Sequence, residues 1–135
     1  MRLLTESQLR DRGEALGRSL SPGSILLFRG EVGAGKTTFI KAIATGLGVE
    51  SATASPTFAL VHRYLGRRGP VFHIDCYRLR TPDEAQDLDW EGLLGEGDVL
   101  LIEWPDQAGS WLPKATHQFS LAHVEDPDLR RLEES

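Results

Sequence analysis

The chain has 135 residues, 40% of them hydrophobic and 26% charged, with a formal net charge of −5 and a single cysteine. One cysteine excludes an internal disulfide and argues against a structural zinc site, and an acidic balance argues against an independent, non-specific hold on nucleic-acid phosphates. The N-terminus turns polar at once without a signal-peptide core, and no apolar run is long enough to span a bilayer, so the expected setting is cytoplasmic with no membrane partner.

The length suits one domain over residues 1–135. Thr5-Glu6-Ser7-Gln8 fits a capping box, in which a hydroxyl and an amide satisfy free N–H groups at a helix start. Leu9, Leu16 and Leu20 would give that helix a thin apolar face, and Pro22-Gly23 would end it. Ile25-Leu26-Leu27-Phe28 is a continuous apolar run of the kind found in buried parallel strands. After a glycine-rich turn, Phe39, Ile40, Ile43, Ala44 and Leu47 recur at helical spacing, with Gly48 as a C-terminal stop. Phe58–Tyr64 and Val71–Asp75 read as strands joined by a Gly66-Arg67-Arg68-Gly69 hairpin loop. Thr81-Pro82-Asp83-Glu84 reads as a second capping box opening an acidic helix. Val99–Ile102 is another buried-strand run, ending in Glu103, and Thr116–Val124 alternates like a strand. Asp128–Ser135 is charged and reads as a frayed end. This order predicts an α/β fold, with helices flanking a central, mostly parallel sheet and a small antiparallel hairpin added.

The strongest chemical signal is Gly30-Glu31-Val32-Gly33-Ala34-Gly35-Lys36-Thr37, a full G-x-x-x-x-G-K-[ST] phosphate loop between a predicted strand and a predicted helix. Glycines let the backbone wrap around phosphates, and the exposed N–H groups attract their oxygens. Lys36 suits the β- and γ-phosphates, the Thr37 hydroxyl a Mg²⁺ ion, and Thr38 an inner phosphate. Lysine is scarce, occurring only as Lys36, Lys41 and Lys114, which makes a chance match improbable. The guanine-reading N-K-x-D pattern is absent, which favours ATP.

Such a site needs a carboxylate at the end of a neighbouring strand, to help hold Mg²⁺ or orient water. Glu103 and Asp75 both stand at strand ends, where ligands gather in parallel α/β sheets. Trp104 packs either against the nucleotide or a partner, or into the core. His73 reads as a satisfied buried histidine, and Cys76 as a small buried apolar residue rather than a reactive thiol. Ser55-Pro56-Thr57-Phe58 fits equally a switch-like loop or a turn. Arg63, Arg67, Arg68, Arg78 and Arg80 precede a run of acids from Asp83 to Asp98, which reads either as two opposed docking surfaces or as solvated segments. Arg63 and Arg78 are candidate arginine fingers.

Together, the phosphate loop, Thr53–Val61 with Ser-Pro-Thr-Phe, His73-Ile74-Asp75-Cys76-Tyr77-Arg78-Leu79 and Leu101-Ile102-Glu103-Trp104-Pro105 resemble the TsaE family over about Leu9 to Pro113. The resemblance implies a P-loop ATPase of tRNA threonylcarbamoyladenosine biosynthesis. It would act with TsaD and TsaB and meet tRNA indirectly through that complex, while TsaD carries the transferase chemistry. It further implies that Gly33, Ala34, Gly35, Lys36, Thr37 and Thr38 hold the phosphates and that Thr37 and Glu103 coordinate Mg²⁺. Asp75 with Ser55 and Thr57 would sense the γ-phosphate, and Trp104 would lie beside the site. Lys36, Asp75 and Glu103 are thus the expected catalytic set. Glu31-Val32 stands where the family usually has Asp-Leu, and Cys76 replaces a common leucine. Family members usually continue with another strand where this chain has Leu129–Leu132 and then ends. Two other readings fit the loop: a small-molecule P-loop kinase, for which the Arg67-Arg68 hairpin would make a poor lid, and a non-catalytic, nucleotide-gated binding module.

Overall fold

A computed structural model describes residues 2–31, 33–50, 61–77 and 79–135. The expectations for Ser55, Thr57 and Arg78, and for the first residues of the Phe58–Tyr64 strand, lie outside these residues.

Strand β1 (Arg2–Leu4) leads into helix α1 (Glu6–Ser19), strand β2 (Ser24–Gly30) and helix α2 (Lys36–Gly46). The hairpin β3 (Val61–Leu65) and β4 (Pro70–Asp75) follows, then a 3-10 turn at Pro82–Asp87, helix α3 (Trp90–Glu96) and β5 (Val99–Glu103). A second 3-10 segment, Pro105–Trp111, precedes β6 (His117–His123) and β7 (Arg130–Glu134). The seven strands form one sheet in the order β1-β7-β6-β2-β5-β4-β3. Its centre, β6-β2-β5-β4, is parallel, and both margins are antiparallel.

The first capping box forms as the sequence predicts: Gln8 N–H donates to Thr5 Oγ1 at 3.2 Å and Thr5 N–H to Gln8 Oε1 at 2.9 Å. The second does not. Pro82 opens a 3-10 turn with no side-chain cap from Thr81, and the Glu84 carboxylate instead accepts the Arg80 N–H at 3.2 Å. The acidic α-helix starts later, capped by Asp89, whose Oδ1 accepts the Gly92 N–H at 3.0 Å.

The sheet has a different core on each face. On one, α1 and α2 cover Leu26, Phe28, Leu101, Phe119 and Leu121. There Phe28 stacks on Phe119 at 5.5 Å, and Phe39 from α2 meets both rings edge-on. On the other, Ile25, Leu27, Phe72, Ile74, Leu100 and Ile102 pack under the 3-10 segments, with Cys76 buried as expected. β5 is buried along its whole length, which is why it reads as an unbroken apolar run. The two helices approach closely at glycines: a Cβ on Gly17 would overlap the Ile43 carbonyl, and one on Gly46 the Glu14 carbonyl.

The C-terminal segment departs from expectation. Arg130–Glu134 is a strand, with Leu132 3% exposed and paired to both Leu121 and Arg2. Leu132 points into the helix-side core, while its immediate neighbours Arg131 and Glu133 alternate to the opposite face and stay exposed. The basic and acidic segments meet at two ion pairs, Arg63–Glu96 at 3.3 Å and Arg68–Asp98 at 3.0 Å.

Candidate functional site

The carboxyl ends of the parallel strands and the start of α2 enclose a cleft of about 410 Å³. β2 ends at Gly30, where a Cβ would overlap the Leu121 carbonyl of the neighbouring strand. Gly35 takes the left-handed conformation at φ +102° and serves as the N-cap of α2. No side chain among the described residues caps this end, so the free N–H groups of the first turn remain available to an anion.

Lys36, the first residue of α2, is only 5% exposed, and its Nζ has no hydrogen-bond partner among the described residues. The ammonium lies 3.6 Å from the centroid of the Trp104 ring. Burial pushes its pKa below the usual lysine value, and the Glu103 and Asp75 carboxylates draw it back up. A buried cation with unused donors is costly unless an anion supplies acceptors. The surroundings therefore suit a phosphate.

Asp75 and Glu103 are register partners across the parallel β4–β5 ladder, which sets the two carboxylates side by side. Asp75 Oδ1 accepts the Tyr77 N–H at 3.0 Å. Glu103, 9% exposed, accepts from His73 Nε2 at 2.7 Å through Oε2. Trp104 is the one non-glycine at positive φ (54°) among the described residues. Its N–H donates to the Phe28 carbonyl at 3.3 Å, and its ring lies 5.0 Å from that of Tyr77. The chain thus turns sharply after Glu103, at the end of β5, and lays an indole over the lysine.

Gly33, Gly35, Lys36, Thr37, Thr38, Asp75, Glu103 and Trp104, all singled out from sequence, line this cleft. Ala34 does not: it is fully buried in the helix-side core, and its N–H donates to the Glu31 carbonyl at 3.1 Å. Arg63, a candidate finger, is not among the lining residues and is paired with Glu96. Glu6, Leu9, Tyr77 and Arg130, which sequence reasoning misses, complete the wall. Tyr77 follows Asp75 by two residues and is within reach of a local argument. Arg130 arrives only because β7 joins the sheet.

A sequence model described as "Threonylcarbamoyl adenosine biosynthesis protein TsaE" matches residues 3–132. The chain belongs to the TsaE family. A Treponema pallidum protein named tRNA threonylcarbamoyladenosine biosynthesis protein TsaE is 37% identical over 114 residues, covering 84% of each chain. Proteins of the same name from Streptomyces coelicolor and Bacillus subtilis are 41% and 36% identical, over 71% and 79% of this chain. This chain spans 66% of the length of each of those two TsaE proteins. The crystal structure of Bacillus subtilis YdiB superimposes with a TM-score of 0.74 over 99% of this chain and 86% of that one, at 24% identity. That likeness supports the fold.

Proposed function

We propose that this chain binds Mg-ATP in the cleft and hydrolyses it slowly, as the ATPase component of tRNA threonylcarbamoyladenosine formation. The observation that carries the reading is the buried Lys36 ammonium, without a hydrogen-bond partner among the described residues and set at an uncapped helix start beside the paired Asp75 and Glu103 strand ends. In this reading the chain acts in the cytoplasm with TsaD and TsaB, on tRNAs that read codons beginning with A. It meets tRNA through that complex and is not itself the transferase. Among the described residues no helix is long and apolar enough to cross a membrane.

The residues divide the work by position. The backbone around Gly33 and Gly35 and the α2 N-terminus hold phosphate oxygens. Lys36 places a point charge against the outer phosphates, and Thr38 reaches an inner one. The Thr37 hydroxyl and Glu103 would hold Mg²⁺, which when bound neutralises charge on the β- and γ-oxygens. Asp75, beside Glu103, would orient water or sense the γ-phosphate, a role shared in this reading with Ser55 and Thr57. Trp104 covers the lysine side of the cleft and Arg130 the tail side.

Two measurements test the proposal. Calorimetry should show Mg-ATP binding to the isolated chain, and phosphate release should be slow alone and rise clearly with TsaD and TsaB. Glu103→Ala should keep nucleotide binding and lose turnover. Native-rate hydrolysis by Glu103→Ala would remove that residue from the mechanism. Phosphate transferred to an added metabolite would identify a kinase instead, and full product formation by a hydrolysis-dead variant over many turnovers would identify a nucleotide gate.

A further inference from the structure

Glu103 does not stand alone at the end of β5. His73 is the register partner of Leu101, so it lies diagonally behind Glu103 on the same face of the sheet, within reach of a long side chain. The reach is used: His73 Nε2 and Glu103 Oε2 are 2.7 Å apart, with both side chains largely buried. An ionised carboxylate only accepts, so the imidazole contributes its Nε2–H. The histidine ring is backed in turn by His62, its cross-strand partner in the hairpin, at 5.7 Å between centroids. His73 is absent from the wall of the nucleotide cleft and faces a neighbouring cavity of about 320 Å³, lined also by Thr37, Ile40 and Tyr64.

We infer that His73 is a positioning residue for Glu103: it ties down one carboxylate oxygen so that the group keeps a single orientation toward the Mg²⁺ ion that Thr37 and Glu103 would hold. The inference rests on the nucleotide-binding reading above and adds to it a residue outside the cleft. The physical reason is general. A glutamate has three side-chain torsions, and a carboxylate that must meet a cation works best when a second hydrogen bond has already restricted it; loss of such a partner typically costs ~10–100-fold in metal affinity or activity.

The test uses His73→Leu and His73→Gln in the full chain, each also combined with Glu103→Gln, with ADP affinity measured by calorimetry with and without Mg²⁺. In His73→Leu, the Mg²⁺-dependent gain in affinity falls about 10-fold or more while metal-free affinity stays at the wild-type value. His73→Gln, whose amide N–H can stand in for Nε2–H, recovers most of the gain. In the Glu103→Gln background, His73→Leu causes no further loss. Equal losses with and without Mg²⁺, failure of the glutamine variant to recover, or additive losses in the double variant would each overturn the inference. A measurement that needs no His73 variant guards against misfolding: the Nε2 resonance of His73 in ¹H–¹⁵N spectra should move when Glu103→Gln is introduced, and an unmoved resonance overturns the inference. Absence of Mg-nucleotide binding by the wild-type chain would instead sink the nucleotide reading. Wild-type binding with indistinguishable His73 variants would sink only the positioning role.

Discussion

Lys36 is a buried cation whose hydrogen-bond donors its own fold leaves unused among the described residues. Its ammonium touches an indole face and finds no hydrogen-bond acceptor among the described residues, and the proposed phosphate would supply one. A charge-assisted hydrogen bond contributes roughly 1.5–3 kcal/mol, so Lys36→Ala should weaken Mg-ATP binding about 10–100-fold by calorimetry; undiminished affinity would end the phosphate role. Cys76 is the opposite case. Burial, with Asp75 beside it, pushes the thiol up to about 11, so only about one molecule in a thousand carries a thiolate at pH 8. A thiol-specific disulfide reagent should therefore leave the native chain untouched and react at once in denaturant. Fast native labelling would mean that the strand end opens far more readily than its packing indicates.

Among the elements, β7 carries the clearest lesson. Its sequence is four-fifths charged, yet Leu132 inserts into the helix-side core, and the strand brings Arg130 to the cleft. Leu132→Ala should cost about 2–5 kcal/mol in urea unfolding, whereas a frayed tail would give a change near zero. The α1–α2 contact makes a second prediction. Gly17 and Gly46 let two backbones meet where no Cβ fits, so Gly17→Ala should destabilise by about 1–3 kcal/mol through overpacking, read as a lowered melting temperature. A neutral substitution there would show that the helices can separate without cost.

The molecule as a whole carries a net charge of −5, and two of its clustered arginines, Arg63 and Arg68, are paired with acids on the segment leading to β5. Neutralised within the chain, these two add little to any basic face of the kind that releases counterions from a nucleic acid. The isolated chain should therefore show no retention of tRNA in filter binding at physiological salt, and any tRNA association should depend on TsaD and TsaB. Tight, salt-sensitive binding by the chain alone would contradict this.

Signals that are local in the chain are legible in the sequence itself. The phosphate loop, the first capping box and the buried runs at β2 and β5 each depend on residues within a few positions of one another, so spacing alone exposes them. Lys36, Thr37, Asp75 and Glu103 stand out in this way because a strand-end acid and a glycine loop are themselves short-range patterns. The rest depends on residues far apart in sequence. The Thr81 box does not form because a 3-10 turn competes with an α-helical start, and propensity does not rank the two. The strand nature of Arg130–Glu134 rests on pairing with β6 and β1, which no local pattern records. His73 reads as an ordinary buried histidine until sheet register sets it against Glu103, 30 positions away. Local chemistry is written in residue order, whereas which side chains share the cleft is settled by strand pairing, because a hydrogen-bonded register brings together groups that the chain itself keeps distant.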